Sequence, residues 1–255
     1  MRVAAVYDIH ANVTALEAVL KEIATLRIDM LVVGGDVITG PMPNETLALL
    51  DSYQGNKVLL KGNAETDLLN CLNHQPMHTL TPYATHQIHW LAKTLKQEYI
   101  QQIVNWQFSS EIHSPELGRM LFCHATPRDN HEIFTEQTPV EQLTPMLGRH
   151  RADVIVCGHT HMPYERRLTQ CRIVNAGSAG MPVGSNGASW VLLDGQISFK
   201  LTTYDIEAAA QRIRQSSYPD AENFVQQQIL NVPDIASQQQ LLAELMQQQQ
   251  LASAS

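Results

Sequence analysis

The chain has 255 residues, enough for one large domain or two small ones around a well-buried core. Its formal net charge is -8 at pH 7 and it contains no block of lysine or arginine, which argues against a nucleic-acid backbone or an anionic membrane as a general partner. The cysteines are scattered, and neither a leader segment nor an apolar run of about 18 residues occurs, so we expect a reduced, cytoplasmic, soluble protein.

The first 65 residues alternate between strand and helix patterns. Short apolar runs predict strands over residues 2–8, 29–36 and 57–63, and helical spacing of apolar residues predicts a helix after each of the first two. This alternation is typical of α/β layer folds, in which strand ends carry the chemistry. A stretch with few β-branched runs follows, and we expect it to form a helical cap over about residues 66–107.

Strands return in the second half of the chain. Five apolar runs predict a second sheet, and Asp194-Gly195 between the last two is a strong hairpin signal. Helical sequence with clusters of glutamine follows from Asp205. The predicted organisation is therefore a main domain over residues 1–204, which includes the cap, and a helical extension over residues 205–255.

Seven side chains with oxygen or nitrogen donor atoms stand where predicted strands end. They are Asp8, His10, Asp36, Asn63, His124, His159 and His161. Taken singly, each has a structural explanation, such as a helix cap, a turn or a hydrogen-bonded histidine. Seven of them at one kind of position instead indicate a ligand site at the strand ends of an α/β sheet.

The spacing of these residues suggests which of them meet. Side chains two residues apart share one face of an extended segment, so we expect Asp8 and His10 to reach one centre, and His159 and His161 likewise. By the same alternation, Cys123 points away from its neighbour in the predicted site, which leaves the thiols outside. A donor set of nitrogen and oxygen suits Mn²⁺, iron, Zn²⁺, Co²⁺ or Ni²⁺ rather than a soft thiolate site.

Five short motifs occur in a fixed order along the chain. They are DIHAN at residues 8–12, GGD at 34–36, GNAE at 62–65, CHATPRD at 123–129 and GHTH at 158–161. In this order they resemble the motif series of the calcineurin-like metallophosphoesterases, and the sequence after GHTH resembles the small bacterial phosphodiesterase-like branch of that superfamily. The resemblance implies an α/β fold, a four-layer sandwich of two mixed β-sheets flanked by helices, with two divalent metal ions at the strand ends.

The resemblance also implies a ligand set. One ion would be held by Asp8, His10, Asp36 and His161, and the other by Asn63, His124 and His159, with Asp36 shared as a bridge. Two divalent ions carry four positive charges and the two aspartates carry two negative ones, so a net charge of about +2 would remain to attract a phosphate. A hydroxide bridging the two ions would then attack phosphorus. The candidate catalytic residues are Asp36, Asn63, His124 and, as a phosphate contact, Arg128. Asn12 and Glu65 would orient ligands, although a helix cap or a surface charge explains such residues nearly as well.

One position departs from the family pattern. Many members carry a histidine directly after the motif asparagine, and this histidine is implicated in protonating the leaving oxygen, whereas this chain has Ala64. Either another donor replaces it, with His86, His89 and His131 as candidates, or the substrate leaves without help. We favour the second explanation, which predicts a leaving group of low pKa.

The expected activity is hydrolysis of a phosphodiester, phosphoanhydride or activated phosphomonoester bond in a small phosphorylated substrate, with a nucleotide as one candidate. Mn²⁺ or iron is the expected metal, before Zn²⁺, Ni²⁺ or Co²⁺. The alternative is a catalytically silent metal-binding scaffold on the same fold, but the presence of all seven donors favours the enzyme. AGSAG at residues 176–180 imitates a serine nucleophile elbow without its first glycine or its helix. An apolar stripe in the C-terminal tail leaves a homo-oligomer open.

Overall fold

The computed structural model describes residues 1–78, 81–148 and 150–253. The strands in these ranges are β1 (Val3–Val6), β2 (Met30–Val33), β3 (Lys57–Leu59), β4 (Ser109–Ser114), β5 (Gly118–Cys123), β6 (Val154–Cys157), β7 (Tyr164–Arg167), β8 (Arg172–Asn175), β9 (Ala188–Leu193) and β10 (Ile197–Thr202). The helices are α1 (Val13–Ala24), α2 (Pro43–Ser52), α3 (Asn63–Leu72), α4 (Pro82–Thr94), α5 (Gln97–Val104), α6 (Val140–Leu147), α7 (Ile206–Arg214), α8 (Ala221–Phe224), a π-helix (Val225–Leu230) and α9 (Ile235–Ser253).

The strands form two five-stranded mixed sheets. The first has the order β10-β9-β1-β2-β3, with β1, β2 and β3 parallel, β9 antiparallel to β1, and β10 antiparallel to β9. The second has the order β4-β5-β6-β8-β7, with β5, β6 and β8 parallel and antiparallel strands at both edges. The predicted pair of mixed sheets is confirmed, and so is the hairpin at Asp194-Gly195. The two strands of this hairpin, however, complete the first sheet, whereas the sequence analysis expected them in the second.

Strand β1 shows why the sheets stack. Val3, Ala5 and Tyr7 lie in a buried cluster that draws on both sheets, whereas Ala4 and Val6 lie in a second cluster with the helices that cover the first sheet. All five side chains are fully buried. Because successive side chains in a strand point to opposite faces, an uninterrupted apolar run marks a strand with both faces covered.

The outer face of the second sheet is covered by α6. Leu143 and Leu147 of this helix pack with Leu121, Ile155 and Ile173 of the sheet in a third buried cluster. Helix, sheet, sheet and helix therefore follow one another, which confirms the predicted four-layer sandwich.

Two strands that the sequence analysis did not predict lie at the edges of the second sheet. Strand β4 reads SSEIHS and β7 reads YERR, and most of their side chains are at least partly exposed. Edge strands contact a neighbour on one side only, so polar residues are tolerated there and the apolar signal is weak. Helices α3, α4 and α5 lie in the predicted cap range, and α7, α8, the π-helix and α9 lie in the predicted extension, while the cap itself stays a prediction. Residues 79, 80, 254 and 255 lie outside the described residues.

The C-terminal helices pack against the ends of α1 and α2, two of the helices that cover the first sheet. Ala209, Ile213 and Phe224 share a buried cluster with Val13 and Met42 at the starts of α1 and α2. In the described ranges, no helix is both long enough and apolar enough to cross a bilayer. The division of the chain at residue 204 stays a prediction.

Candidate metal centre

The seven predicted donors lie together at one edge of the two sheets, and we call them the donor cluster. The backbone turns sharply where they stand, because five of them adopt left-handed conformations: Asp8 (φ 52°), His10 (φ 46°), Asp36 (φ 50°), His159 (φ 67°) and His161 (φ 61°). Aspartate and histidine are enriched among residues that adopt this conformation. The prediction that these segments are extended is therefore wrong; the strands end two or three residues before Asp8, Asp36 and His159, and tight turns aim the side chains inward.

The potential ligand atoms form two groups of three. Asp8, His10 and His161 make one group, and Asp36, His124 and His159 make the other, with the ligand atoms of each group within 4.8 Å of one another. The spacing argument is thus wrong for the H-x-H pair, whose two imidazoles belong to different groups. The left-handed turn between them explains this separation, since it breaks the alternation of an extended chain.

In the first group, nitrogen and oxygen atoms of three side chains lie close together. His10 Nε2 lies 3.0 Å from His161 Nε2, and His161 Nε2 lies 3.4 Å from Asp8 Oδ1. His10 Nδ1 lies 3.0 Å from the carbonyl oxygen of Thr39, which can only accept a hydrogen bond. The proton therefore sits on Nδ1 of a neutral His10, and Nε2 presents a lone pair to the group.

The second group has the same character. His124 Nδ1 lies 2.9 Å from the carbonyl oxygen of Gly34, so this nitrogen carries the proton. His124 Nε2 then points its lone pair at Asn63 Oδ1, 3.0 Å away, and at Asp36 Oδ1, 3.5 Å away. The asparagine thus joins the second group, and three acceptor atoms converge on one point.

Two buried atoms of the donor cluster lack a hydrogen-bond partner among the described residues. They are Asp8 Oδ1 and His159 Nε2. Asp8 Oδ2, in contrast, accepts the backbone N–H of His159 at 2.8 Å, which aims the other oxygen at the group. Buried polar atoms without partners are rare, and converging acceptors need a cation between them. Nitrogen and oxygen donors in this number suit a divalent transition metal.

Burial sets the protonation of these side chains. It lowers the pKa of His10 to about 3, helped by His161, and the pKa of His161 to about 4. Both imidazoles are therefore neutral at pH 7, the form that binds metals. Burial also raises the pKa of Asp8 and of Asp36 to about 6, although neighbouring imidazoles oppose this rise. A bound cation would favour the charged carboxylates and remove that penalty.

Glu65 holds the loop that carries Asp36. Its buried carboxylate accepts the backbone N–H groups of Asp36 at 2.9 Å, Val37 at 2.8 Å and Gly62 at 2.7 Å. A side chain at Gly62 would collide with Asp36 Oδ1, and one at Gly158 would collide with Asp8 Oδ2. The glycines of these motifs thus leave space for the aspartates, and Glu65 orients one of them.

The remaining predicted residues lie farther out. Asn12 caps α1, its side-chain oxygen accepting the N–H of Ala15 at 3.2 Å. Arg128 is half exposed and hydrogen-bonds Glu132, so its role as a phosphate contact stays a prediction. Ser178 is buried and donates to the carbonyl oxygen of Asp8 at 2.7 Å, which makes it part of the loop support.

Two cavities flank the donor cluster, and sequence reasoning did not foresee them. One, of about 200 Å³, is lined by Asn63 and His159 and also by His131. The other, of about 250 Å³, is lined by His10 together with helix residues from α4, α8 and the π-helix. Of the three histidines considered as replacement acids, only His131 lines either cavity in the described part of the chain. The helix residues belong to no motif, so only tertiary structure identifies them.

Comparisons with known proteins agree with this geometry. The family model for the calcineurin-like phosphoesterase superfamily domain matches residues 1–197. An uncharacterized protein of Methanocaldococcus jannaschii is 26% identical over 86% of this chain and 94% of its own length. Phosphodiesterase YfcE of Escherichia coli is 24% identical over 80% of this chain and 93% of its own.

A solved structure shows the same fold. A metallophosphoesterase from Sphaerobacter thermophilus superposes with a TM-score of 0.68 at 22% identity, covering 91% of this chain and 98% of its own. The family match spans strands β1 to β9 and every residue of the donor cluster. The chain therefore belongs to the calcineurin-like phosphoesterase superfamily and is a metal-dependent hydrolase of phosphoric esters.

Proposed function

We propose that the chain is a dinuclear-metal phosphodiesterase that also accepts phosphoanhydrides or phosphomonoesters with good leaving groups. The observation that carries the proposal is the convergence of buried acceptor atoms in two adjacent groups, with Asp8 Oδ1 and His159 Nε2 unpartnered among the described residues. The similarity to a relative named as a phosphodiesterase supports the bond type.

Two divalent ions, Mn²⁺ or iron in the first place, fit the two groups. One ion would be held by Asp8, His10, Asp36 and His161, and the other by Asn63, His124 and His159, with Asp36 shared. When bound, such ions polarise phosphoryl oxygens and lower the pKa of water toward neutrality. Neutral histidine and asparagine ligands leave the site with a net positive charge, which attracts an anionic phosphate to an acidic protein.

The residues of the chain supply the fixed geometry that this chemistry needs. The carbonyl oxygens of Thr39 and Gly34 hold the protons of His10 and His124 on Nδ1, so both rings keep one tautomer and one orientation. Glu65 fixes the Asp36 loop through backbone N–H groups. Ligands held in this way need little rearrangement during the reaction, and preorganisation of this kind supplies much of the rate enhancement in enzymes.

Ala64 points to substrates with good leaving groups. It is buried, carries no titratable group, and donates only its backbone N–H, to Asp36 Oδ1 at 2.9 Å. We expect the rate to fall steeply as the pKa of the leaving group rises across a series of aryl methyl phosphates. A shallow dependence in the wild type that becomes steep in His131→Ala would contradict this expectation and assign the proton to His131.

The test of the proposed function combines metal analysis and turnover on one sample. The purified protein is stripped with a chelator and reloaded with Mn²⁺, Fe²⁺, Co²⁺, Ni²⁺ or Zn²⁺; bound metal is then measured alongside hydrolysis of bis(p-nitrophenyl) phosphate. About two ions per chain and metal-dependent hydrolysis are expected. Binding of two ions with no turnover of diesters, anhydrides or aryl monoesters would instead favour the silent scaffold.

A further inference from the structure

The cavity beside His10 has a composition that the proposed reaction does not require. Its helix-borne walls come from Tyr83 and Gln87 of α4, Phe224 of α8, and Gln227 and Gln228 of the π-helix; we call it the amide pocket. No aspartate, glutamate, lysine or arginine is among the described residues that line it. The pocket is therefore neutral, although it adjoins a site that would hold a strong positive charge.

The side chains of the amide pocket combine two kinds of contact. Each glutamine offers an amide that both donates and accepts hydrogen bonds, and Tyr83, which is 44% exposed, offers an aromatic face. Phe224 is only 3% exposed and contributes an apolar edge to the wall. A cavity of roughly 150 Å³ suffices for a benzene ring, so about 250 Å³ admits a heteroaromatic ring. A flat, neutral ring with donors and acceptors along its edge matches these walls, because its faces can stack while its edges bond.

The pocket is held in shape from behind by Tyr218. This residue is 4% exposed; its hydroxyl lies 3.2 Å from that of Tyr83 and accepts a hydrogen bond from Gln87. Its ring packs edge-to-face on Phe224, with centroids 5.9 Å apart. One buried tyrosine thus fixes three walls of the pocket, and prearranged walls lower the entropy lost on binding.

The π-helix is a second, independent sign of a functional surface. The N–H of Asn231 bonds the carbonyl oxygen of Gln226, five residues earlier, at 3.2 Å. Turns of this type are rare and occur frequently at functional sites. Here the π-helix continues α8, so Gln227 and Gln228 follow Phe224 on the side of the helix that faces His10.

We propose that the amide pocket binds a nucleoside, so that the substrate is a phosphodiester with a nucleoside on one side of phosphorus. The inference rests on the proposed function, because the imidazole of His10 forms both part of the donor cluster and part of the pocket wall. A phosphate at the donor cluster places the group esterified to it beside that wall. The base then stacks on Tyr83 and bonds the glutamine amides.

The kinetic test compares two esters with the same charge and leaving group. They are thymidine 5′-(p-nitrophenyl phosphate) and methyl p-nitrophenyl phosphate, which lacks the nucleoside. We expect kcat/KM to be at least about tenfold higher for the thymidine ester. Gln227→Ala and Gln87→Ala should each reduce this ratio about three- to tenfold, the loss expected for one hydrogen bond. Gln226→Ala is the matched control, since this neighbouring side chain bonds Glu222 instead.

Tyr218→Phe tests whether the tyrosine hydroxyl holds the pocket walls in place, because it keeps the aromatic ring. The ring remains, but the hydroxyl that holds Tyr83 and Gln87 is removed. We expect KM for the thymidine ester to rise while kcat for the methyl ester is unchanged, because Tyr218 acts only through the pocket. A fall in kcat for both esters would show a general structural role and count against the proposal.

A binding measurement separates this proposal from the proposed function. Adenosine and thymidine are titrated into metal-free protein by calorimetry, so no turnover is involved. Binding that weakens in Gln227→Ala and persists in Gln226→Ala supports the amide pocket even if no ester is hydrolysed. The proposal is overturned if neither nucleoside shows saturable binding, even if the metal centre is active. It is also overturned if Gln227→Ala and Gln87→Ala bind the nucleosides as tightly as the wild-type protein does.

Discussion

The donor cluster and the amide pocket lie side by side and share His10, yet their side chains are held in different ways. In the donor cluster the backbone fixes the ligands, as Thr39 does for His10 and Gly34 does for His124. In the amide pocket one buried side chain, Tyr218, steadies neighbours that are partly open to solvent. Chemistry on phosphorus demands one geometry, whereas recognition of an organic group tolerates adjustable walls.

The strongest way to break this contrast is to disable the donor cluster alone. Asp36→Asn keeps the size of the side chain but removes a charge shared by the two ions, so we expect kcat to fall at least about 10³-fold. Metal analysis should show that both ions bind more weakly, while calorimetry finds nucleoside binding intact. Asp51→Asn, an exposed aspartate, is the control. Loss of only one ion would contradict the shared position of Asp36.

The next largest effect is expected from Glu65, which fixes the loop that carries Asp36. Glu65→Gln replaces a carboxylate that accepts several backbone N–H groups with an amide that has only one acceptor oxygen. We expect metal affinity to fall about 10- to 100-fold, because Asp36 loses its orientation. Titration of metal into the stripped protein measures this, with the exposed Glu45→Gln as control. Unchanged affinity would show that the loop keeps its shape without Glu65.

His131, which lines the cavity of about 200 Å³ beside Asn63 and His159, should make the stability of the fold depend on pH. Burial lowers the pKa of His131, but hydrogen bonds with Asp129 and Asp67 outweigh it and raise the pKa to about 9. A raised histidine pKa stabilises the fold below about pH 6.5, and this stability is lost as pH rises through about 9. We expect His131→Gln to lower the free energy of unfolding by about 1–3 kcal/mol at pH 6, and by much less at pH 9.5.

Urea unfolding of metal-free protein at the two pH values measures that difference. Asp67→Asn should show the same pH dependence, since it removes one partner of the charged ring. A destabilisation that is equal at pH 6 and pH 9.5 would indicate lost packing rather than lost charge.

The smallest effect is expected from a contact of α9 that lies outside both the donor cluster and the amide pocket. Helix α9 reaches the donor loops through Gln238, whose amide donates to the carbonyl oxygen of Thr160 at 3.2 Å. Gln238→Ala should lower the melting temperature of the metal-free protein by about 1–4 °C, the range for one hydrogen bond in a protein of this size. Gln240→Ala, whose partner Glu244 lies on the surface of α9, should shift it less. Equal shifts would deny α9 a role in bracing Thr160.

The sequence predicted the place of the donor cluster better than its shape. Buried parallel strands have an unmistakable apolar pattern, and polar residues such as Asp8 and Asp36 at their ends stand out against it. The left-handed turns at these residues have no comparable signal, because aspartate and histidine also occur in extended chain. Spacing alone therefore misplaced His159 and His161 at one centre, whereas the ligand set implied by the family resemblance already placed them at different ions, as the two groups do.

The amide pocket could not be predicted for a different reason. Tyr83 and Gln227 are 144 positions apart along the chain (227 − 83) and come together only because α4 and the π-helix pack around one tyrosine. Glutamine clusters in a helical tail read equally well as a solvated surface. The polar edge strands β4 and β7 were missed on similar grounds, since their contacts come from one side only.

The left-handed backbone of the donor cluster has a consequence for the life of the protein in the cell. Each such residue costs about 1–2 kcal/mol, so five of them consume a share of the roughly 5–15 kcal/mol that keeps a domain folded. Ions that bind the folded chain offset this strain by mass action. Under the proposed function, metal starvation would therefore do more than silence the enzyme: it would expose the chain to proteases and lower its abundance.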